Sequence, residues 1–541
     1  MALAGGFASW LALSASADLA VGRERLLAGD TAAADAAFAR SERWPGARAG
    51  ARAGRAATAA RAGHAVTEAV PLADLEALGP EALVLSSLEA GRLDAAADLA
   101  DLARRAGLPL GTLYAAALAL ERGDEATARV LASASQVLSS RGLGSRLRRT
   151  LAARDAGATT LLLDQRGELA ATVAGGAVAA EADALPLLAG VVERLPSLAA
   201  REAVRLSVDL SLSRAAREAL GGRRGSIVLV EPRTGAVLAA VSDDRTAAAE
   251  GAAAFTQRRE PASIAKVITA AAAYRAGLDA DAEIKRMTCA GVERYGGKPL
   301  WCAFPAGPLE GLDHALALSC NIAFANLGTR LGRDRMEDEY RRWGFDAGAG
   351  ALLGAAGRVH TRPATPRQLA DLSIGLELVD VTPLHAALLA AVVANDGRLA
   401  EPRLVTGACG PLGLTDGPLP LPAGRDVVGP EVARTLRRAM EAVAAYGTGA
   451  GLAPPGFPVA MKTGTASEWG NGYHVNYVGM GPLPEPSVAF CVRVTHERTS
   501  HAVTVAARDV TRALLRVLAD RRLALDAACR QRGVARVETG R

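Results

Sequence analysis

Strand-forming runs stand at both ends of a stretch that is otherwise helical, and this separation constrains the fold of the 541-residue chain more than any other feature. SIVLVEPRTGAVLAAVSD (226–243) carries two β-rich runs around a turn at Pro232 to Gly235. Past Pro261 the chain reads as helical. It returns to strands only from about 456, as FPVAMKTGTA, HVNYVGMG and SVAFCVRVT, and a long amphipathic helix over about 502–528 follows. Strands at both ends with helices between them predict an α+β fold: one antiparallel sheet, assembled from distant parts of the chain and flanked by helices.

The chain ahead of this region has a different texture. Residues 18 to about 155 are alanine-rich and read as short amphipathic helices punctuated by glycine. GDTAAADAAF from Gly29, GRLDAAADLA from Gly91 and GDEATARVLA from Gly123 share a pattern, with glycine in a turn and alanine five residues on (Ala34, Ala96, Ala128). A small side chain there lets a second helix pack closely. The separations of 62 and 32 residues are close to two periods and one of a helix-turn-helix repeat. The region resembles a degenerate tetratricopeptide array, and an alanine-rich bundle without true repeats is the alternative; either way an all-α domain is expected over 18–155. TTLLLDQRGELAATV, from Thr159, reads as a hairpin, so 156–199 is taken as a hairpin and linker module, 200–528 as the sheet domain and 529–541 as a tail. The leader 1–17, MALAGGFASWLALSASA, has no charge and ends in Ala15-Ser16-Ala17, a small-x-small cleavage pattern. It lacks a basic start and is shorter than the roughly 20 residues that span a bilayer. An export signal or the stub of an anchor is expected, the alternative being the first helix of the helical domain.

A net charge of +5 is mild for this length, and no block of basic residues marks a nucleic-acid surface. Of 62 basic residues only four are lysines, Lys266, Lys285, Lys298 and Lys462. Where arginine serves for nearly every cation, a lysine asks whether a titratable amine is needed. The cysteines Cys289, Cys302, Cys320, Cys409, Cys491 and Cys529 form no C-x-x-C pair and no zinc-type spacing, so neither metal nor cofactor is expected. Cys289 and Cys302 are spaced for a local disulfide and equally for two free thiols.

Three short motifs occur in order: Ser263-Ile264-Ala265-Lys266, Ser319-Cys320-Asn321 and Lys462-Thr463-Gly464-Thr465. Pro261 precedes an alanine-rich helix, which places Ser263 near a helix N-terminus, where free N–H groups favour developing negative charge on a nucleophile. Lys266 lies one turn on and can reach the Ser263 hydroxyl; buried beside another cation, it would lose its proton and act as the base. The bland reading is an N-cap serine with a solvated lysine. Ser319 and Asn321 would diverge on a continuous helix, so the second motif is placed on a link between two helices, with the hydroxyl relaying a proton and the amide holding a substrate carbonyl. A helix-capping pair is its alternative. Lys462, Thr463 and Thr465 lie on a strand and can bind a carboxylate, Gly464 leaves room for a ligand, and the Ser263 and Thr465 N–H groups can form an oxyanion hole. An edge strand with a solubilising lysine is the plain alternative.

With these motifs in place, residues of about 200 to 528 resemble the transpeptidase domain of penicillin-binding proteins, the fold shared with serine β-lactamases. RLSVDLSLSRAAREALGGRRGSIVLVEPRTGAVLAAVS is similar to the family's entry helix and first hairpin, SCNIAFANLGTRLG to the stretch around its second motif, and DVTPLHAALLAAVVANDG to the helix before its third. The TTLLLDQRGELAATV hairpin resembles part of the N-terminal module of monofunctional members. Two departures stand out: Met461 precedes Lys462 where the family usually has glycine, and SIGLEL (373–378) replaces a Gly-Gln-rich lead. The resemblance implies acyl transfer from D-alanyl-D-alanine stem peptides of peptidoglycan through Ser263, inhibition by β-lactams, and a location at the periplasmic face of the inner membrane or in the periplasm. Cell-wall synthesis proteins are the implied partners of the helical domain. A D,D-carboxypeptidase or β-lactamase is the hydrolytic alternative, and a non-catalytic penicillin sensor or scaffold the alternative of another kind. No E-x-x-x-N, the deacylating pattern of one β-lactamase class, occurs between Asn321 and Lys462.

Overall fold

The computed structural model describes residues 18–531 with interruptions, the longest at 62–83, 85–92, 136–142, 181–187 and 189–202. The leader 1–17, Gly29, Gly91, most of the 181–199 linker and the tail from 532 lie outside the described residues. The chain divides into two compact units, the first made of Met1–Ala179, Leu198–Leu206 and Gly407–Leu419.

Helices of the first unit include Thr31–Ser41, Arg48–Arg61, Leu93–Arg105, Pro109–Glu121, Glu125–Ala134 and Leu143–Asp155. Neighbours pack together, the first with the second, and the fourth with both the third and the fifth. Ala34, Ala96 and Ala128 are each 0% exposed, so all three repeat-like segments bury their small residue. Gly123, at φ +82°, makes the turn into Glu125–Ala134 without strain, and the Asp124 carboxylate caps that helix by accepting from the Thr127 N–H. Thr160–Leu163 and Leu169–Ala174 pair antiparallel as a hairpin. Every residue of Thr160–Leu163 is buried, which a lone hairpin could not achieve. Ala203–Leu206 lies parallel to it, and Val405–Cys409, Asp416–Pro418 and Ala177–Ala180 complete a six-stranded sheet.

The second unit holds an antiparallel five-stranded sheet. Its strands are β1 (Gly225–Val230), β2 (Val237–Ser242), β3 (Ala460–Glu468), β4 (Gly472–Gly481) and β5 (Val488–Glu497), in the spatial order β3-β4-β5-β1-β2. The register sets Lys462 opposite Val478, Val478 opposite Cys491 and Cys491 opposite Val228. The helices that matter below are α1 (Lys266–Arg275), α2 (Gly311–Ala317), α3 (Asn321–Leu331), α4 (Pro383–Ala394) and α5 (Ser500–Gln531). Both α4 and α5 pack on β4 and β5, and this double cover explains why 488–492 is a continuous apolar run instead of an alternating one, while α4 also packs on β1. In α1, Lys266 through Ala273 are all buried, as befits a helix apolar on every side. Among the described residues no helix is long and apolar enough to cross a membrane.

Candidate active site

Ser263 lies half-buried in a 3₁₀ turn, Ala262–Ala265, that runs directly into α1 at Lys266. Ala262 takes φ +51° and donates its N–H to the Gly375 carbonyl at 2.8 Å. Gly375 is itself at φ +78°, and a Cβ there would stand 2.3 Å from the Ala262 oxygen. The SIGLEL segment therefore carries the glycine on which the turn rests. On β3, a Cβ at Gly464 would lie 2.7 Å from the Pro261 oxygen and 3.1 Å from the Ser263 nitrogen. The room expected beside Gly464 for a ligand is thus occupied by the turn that carries Ser263, since only a residue without Cβ lets backbone come so close.

Arg493, fully buried on β5, fastens the approach to this turn. Its guanidinium donates to Asn476 Oδ1 at 2.7 Å, the Gln257 carbonyl at 2.7 Å and the Val381 carbonyl at 3.0 Å. Sequence reasoning missed both Gly375 and Arg493. The signal for Arg493 was available: a charge inside an otherwise apolar strand run is buried only with partners.

Ser319 sits between α2 and α3 at φ +57°, a left-handed conformation that is uncommon for serine, and Asn321 opens α3. That break in the helix brings both side chains to one amine. Lys266 Nζ donates to the Ser319 carbonyl at 2.6 Å, to Asn321 Oδ1 at 2.6 Å and to Ser319 Oγ at 3.3 Å. Lys462 Nζ reaches the same Oγ from β3 at 2.9 Å and also donates to the Thr463 carbonyl at 2.7 Å. The Ser319 hydroxyl consequently stands between two buried amines. Asn321 Nδ2 donates to the Trp301 carbonyl at 2.7 Å, which leaves its second hydrogen for a substrate oxygen. Lys266 is turned toward Ser319 and Asn321 in this arrangement, and contacts to a nucleophile commonly tighten only when substrate is present. Thr463 is engaged with the Thr448 hydroxyl at 2.7 Å, whereas Thr465 is exposed. Met461 is fully buried, its side chain filling space over Gly449 and Gly479, where an added Cβ would come within 2.5 Å and 2.9 Å of it.

Burial pushes the Lys266 amine down to about 8, with the sulfurs of Cys320, Cys302 and Cys289 pulling the other way. Lys462 is held well below the ordinary lysine range by burial and then by the charge of Lys266. Two amines sharing one hydroxyl in a dry site cannot both be charged cheaply. With neutral Lys266 as the expected base, the rate constant for acylation by penicillin should rise roughly tenfold per pH unit below about 8 and level off above it. Measured from about pH 6 to about 9.5, a flat profile would remove Lys266 as the base.

Beside these groups lie three thiols. The Sγ atoms of Cys289, Cys302 and Cys320 are all within 4.8 Å of one another, and among the described residues they are the group close enough to share a single cation. Cys289 and Cys302 are both free thiols, so the structure forms no bond where their spacing allowed a disulfide. Cys320 joins them because its sulfur caps α3, accepting from the Ala323 N–H.

Residues 225–516 match the family model described as the penicillin binding protein transpeptidase domain, and the chain belongs to that family. It is 32% identical over 310 residues to Peptidoglycan D,D-transpeptidase PbpA of Mycolicibacterium smegmatis, a match covering 51% of this chain and 62% of that protein. Against Stage V sporulation protein D of Bacillus subtilis the identity is 29% over 254 residues, covering 44% and 38%. The chain thus spans less than two thirds of the length of these relatives. Among solved structures, the imipenem acyl-enzyme complex of penicillin-binding protein A from M. tuberculosis is similar at a TM-score of 0.55 and 26% identity, covering 66% of this chain and 99% of that one. The D,D-transpeptidase domain of a peptidoglycan glycosyltransferase from Eggerthella lenta shares the fold at a TM-score of 0.57 and 24% identity, covering 67% and 99%.

Proposed function

We propose that this chain is a peptidoglycan D,D-transpeptidase working through an acyl-enzyme on Ser263. The observation that carries the reading is the shared hydroxyl: Lys266 and Lys462, both buried, meet at Ser319 Oγ at 3.3 Å and 2.9 Å beside the turn that bears Ser263. In the first half-reaction Ser263 Oγ attacks the carbonyl carbon of the penultimate D-alanine and gives its proton to neutral Lys266. Ser319 relays that proton to the departing amine, the peptide bond breaks, and D-alanine leaves. In the second half an amine of a neighbouring stem peptide attacks the ester and Ser263 recovers its proton. The N–H groups of Ser263 and Thr465 serve the oxyanion, and Lys462 with Thr465 the terminal carboxylate of the donor. Relatives named peptidoglycan D,D-transpeptidases, and β-lactam acyl-enzyme complexes of a similar protein, support this assignment.

Transpeptidation requires an acyl-enzyme that waits for an amine, and Lys266 is already committed to acylation. The penicilloyl adduct on Ser263 should therefore persist for many minutes, against a cycle time well under a second at a typical turnover of about 10 s⁻¹. Intact-protein mass spectrometry after removal of free penicillin, with and without bicarbonate to permit lysine carbamylation, reads this directly. Rapid return to the unmodified mass with turnover of penicillin would make the protein a β-lactamase.

We assign the enzyme to the outside of the cytoplasm, where a peptidoglycan substrate lies, in keeping with relatives named peptidoglycan D,D-transpeptidases. The buried Ala34, Ala96 and Ala128 support a repeat-like helical region over 18–155, whose role we assign to docking other cell-wall synthesis proteins.

A further inference from the structure

Three sulfur atoms converge on the second motif, and Cys302 is the one in the middle. Its Sγ is 3.3 Å from that of Cys289 and 3.7 Å from that of Cys320. Cys302 is also the reachable member, half-buried where the other two are buried. Both Cys302 and Cys320 sit at the N-terminus of α3, with the Ile322 N–H 3.5 Å from Cys302 Sγ and the Ala323 N–H 3.4 Å from Cys320 Sγ. Free N–H groups at a helix start, with the Lys266 amine close by, favour a thiolate. The hydrogen bond shared with Cys320 lowers Cys302 against the pull of its own burial, with the Ile322 N–H adding to the lowering, while the same shared bond and burial raise Cys320.

The two neighbours of Cys302 differ in what they control. Cys289 lies on a short strand, Thr288–Cys289, paired with Gly307–Pro308, and is part of none of the three motifs. Cys320 stands between Ser319 and Asn321, the residues that hold Lys266.

We propose that Cys302 is a thiol-oxidation site with two alternative disulfide partners, Cys289 and Cys320, and that only the Cys302–Cys320 pairing blocks acylation of Ser263. The oxidant is an external disulfide such as oxidised glutathione. The Cys302 thiolate attacks it and expels one glutathione thiolate, and a neighbouring thiol, giving its proton to water, then attacks Cys302 Sγ and expels the second. Exchange between the pairings needs no further oxidant: the Cys320 thiol, giving its proton to water, attacks Cys302 Sγ and the electron pair leaves on Cys289. Bonding to Cys302 draws Cys320 Sγ from 3.7 Å to about 2.05 Å. Ser319 and Asn321 must follow, and a misplacement of about 1 Å in such a site costs on the order of 10²-fold in rate. Pairing with Cys289 puts no covalent bond on the Ser319–Asn321 link and keeps Cys302 from Cys320.

The inhibitory half rests on the transpeptidase reading; the pairing half does not. The full-length chain and its Cys289→Ser, Cys320→Ser and Cys302→Ser variants are each compared before and after oxidised glutathione, by disulfide mapping of alkylated peptides and by labelling rate with a fluorescent penicillin. Oxidised Cys289→Ser should contain the Cys302–Cys320 bond, lose at least about tenfold in labelling rate and regain it with a dithiol. Oxidised Cys320→Ser should contain the Cys289–Cys302 bond and label at its reduced rate, and Cys302→Ser should ignore the oxidant. In the parent protein at graded glutathione ratios, the labelled fraction should fall as the Cys302–Cys320 peptide accumulates, which tests the idea without any variant. A Cys302–Cys320 bond with undiminished labelling would overturn it, as would failure of that bond to form. So would thiols protected from oxidant by a metal ion carried through purification. If the fully reduced parent does not label at all, the transpeptidase reading falls, and the disulfide map still sustains or overturns the pairing.

Discussion

Ser263→Ala should abolish covalent labelling of the chain by a fluorescent penicillin, while the parent protein should label to completion. The expectation follows from where hydroxyls lie around Lys266. Ser319 Oγ accepts from Lys266 and Lys462 together and is committed to those two amines, while Ser263 lies half-buried on the turn next to β3. The turn is held by Gly375, Gly464 and the Arg493 contacts, none of which involves the Ser263 side chain, so alanine should leave stability within about 1 kcal/mol. Equal labelling of parent and variant, with matching melting temperatures, would move the nucleophile to another residue.

For Lys266→Arg the acylation rate should drop by about 10² to 10⁴, the usual worth of a general base. Arginine keeps the positive charge but does not give up its proton near neutral pH, so it can fill the role of a cation and not that of a base. The cavity sets a second constraint. Lys266 is fully buried with contacts of 2.6 Å to Ser319 and Asn321, and a guanidinium is larger than an ammonium. A melting curve and a companion Lys266→Met, unbranched and neutral, separate the two effects. Both variants should be slow, the methionine one without the cost of a crowded charge. Retention of more than half of the parent rate in either would show that another group takes the Ser263 proton.

Much of the transpeptidase-family domain was legible because its signals are local. The β-rich runs at 226–243 and after 456 became β1 to β5, and DVTPLHAALLAAVVANDG became α4 with Thr382 as its N-cap. The Ser319–Asn321 motif read as a link between helices because side chains two apart cannot share a helix face, and α2 and α3 do part there. The scarcity of lysine in an arginine-rich chain singled out Lys266 and Lys462, and both amines are buried at one hydroxyl.

Other features had no local signal. Nothing in the spacing of Lys462 and Ser319, 143 residues apart, sets their amine and hydroxyl at 2.9 Å; the β3–β4 register and the link before α3 do that. A strand pattern shows that a Cβ is missing at Gly464 and suggests room for a ligand, but not what comes to lie there, which packing of the turn that carries Ser263 decided. Ala203–Leu206 and the 405–418 strands carry no turn chemistry linking them to Thr160–Leu163, yet they build its sheet. Cys320 offered no pairing signal either, since its neighbours Cys289 and Cys302 belong to chain segments that only the fold brings to the start of α3. The sequence by itself determined which residue types stand in each element, through periodicity, turn residues and the rarity of lysine. Tertiary structure alone decided which of them touch, because contacts between distant segments follow from sheet register and close packing, which no window of neighbouring residues encodes.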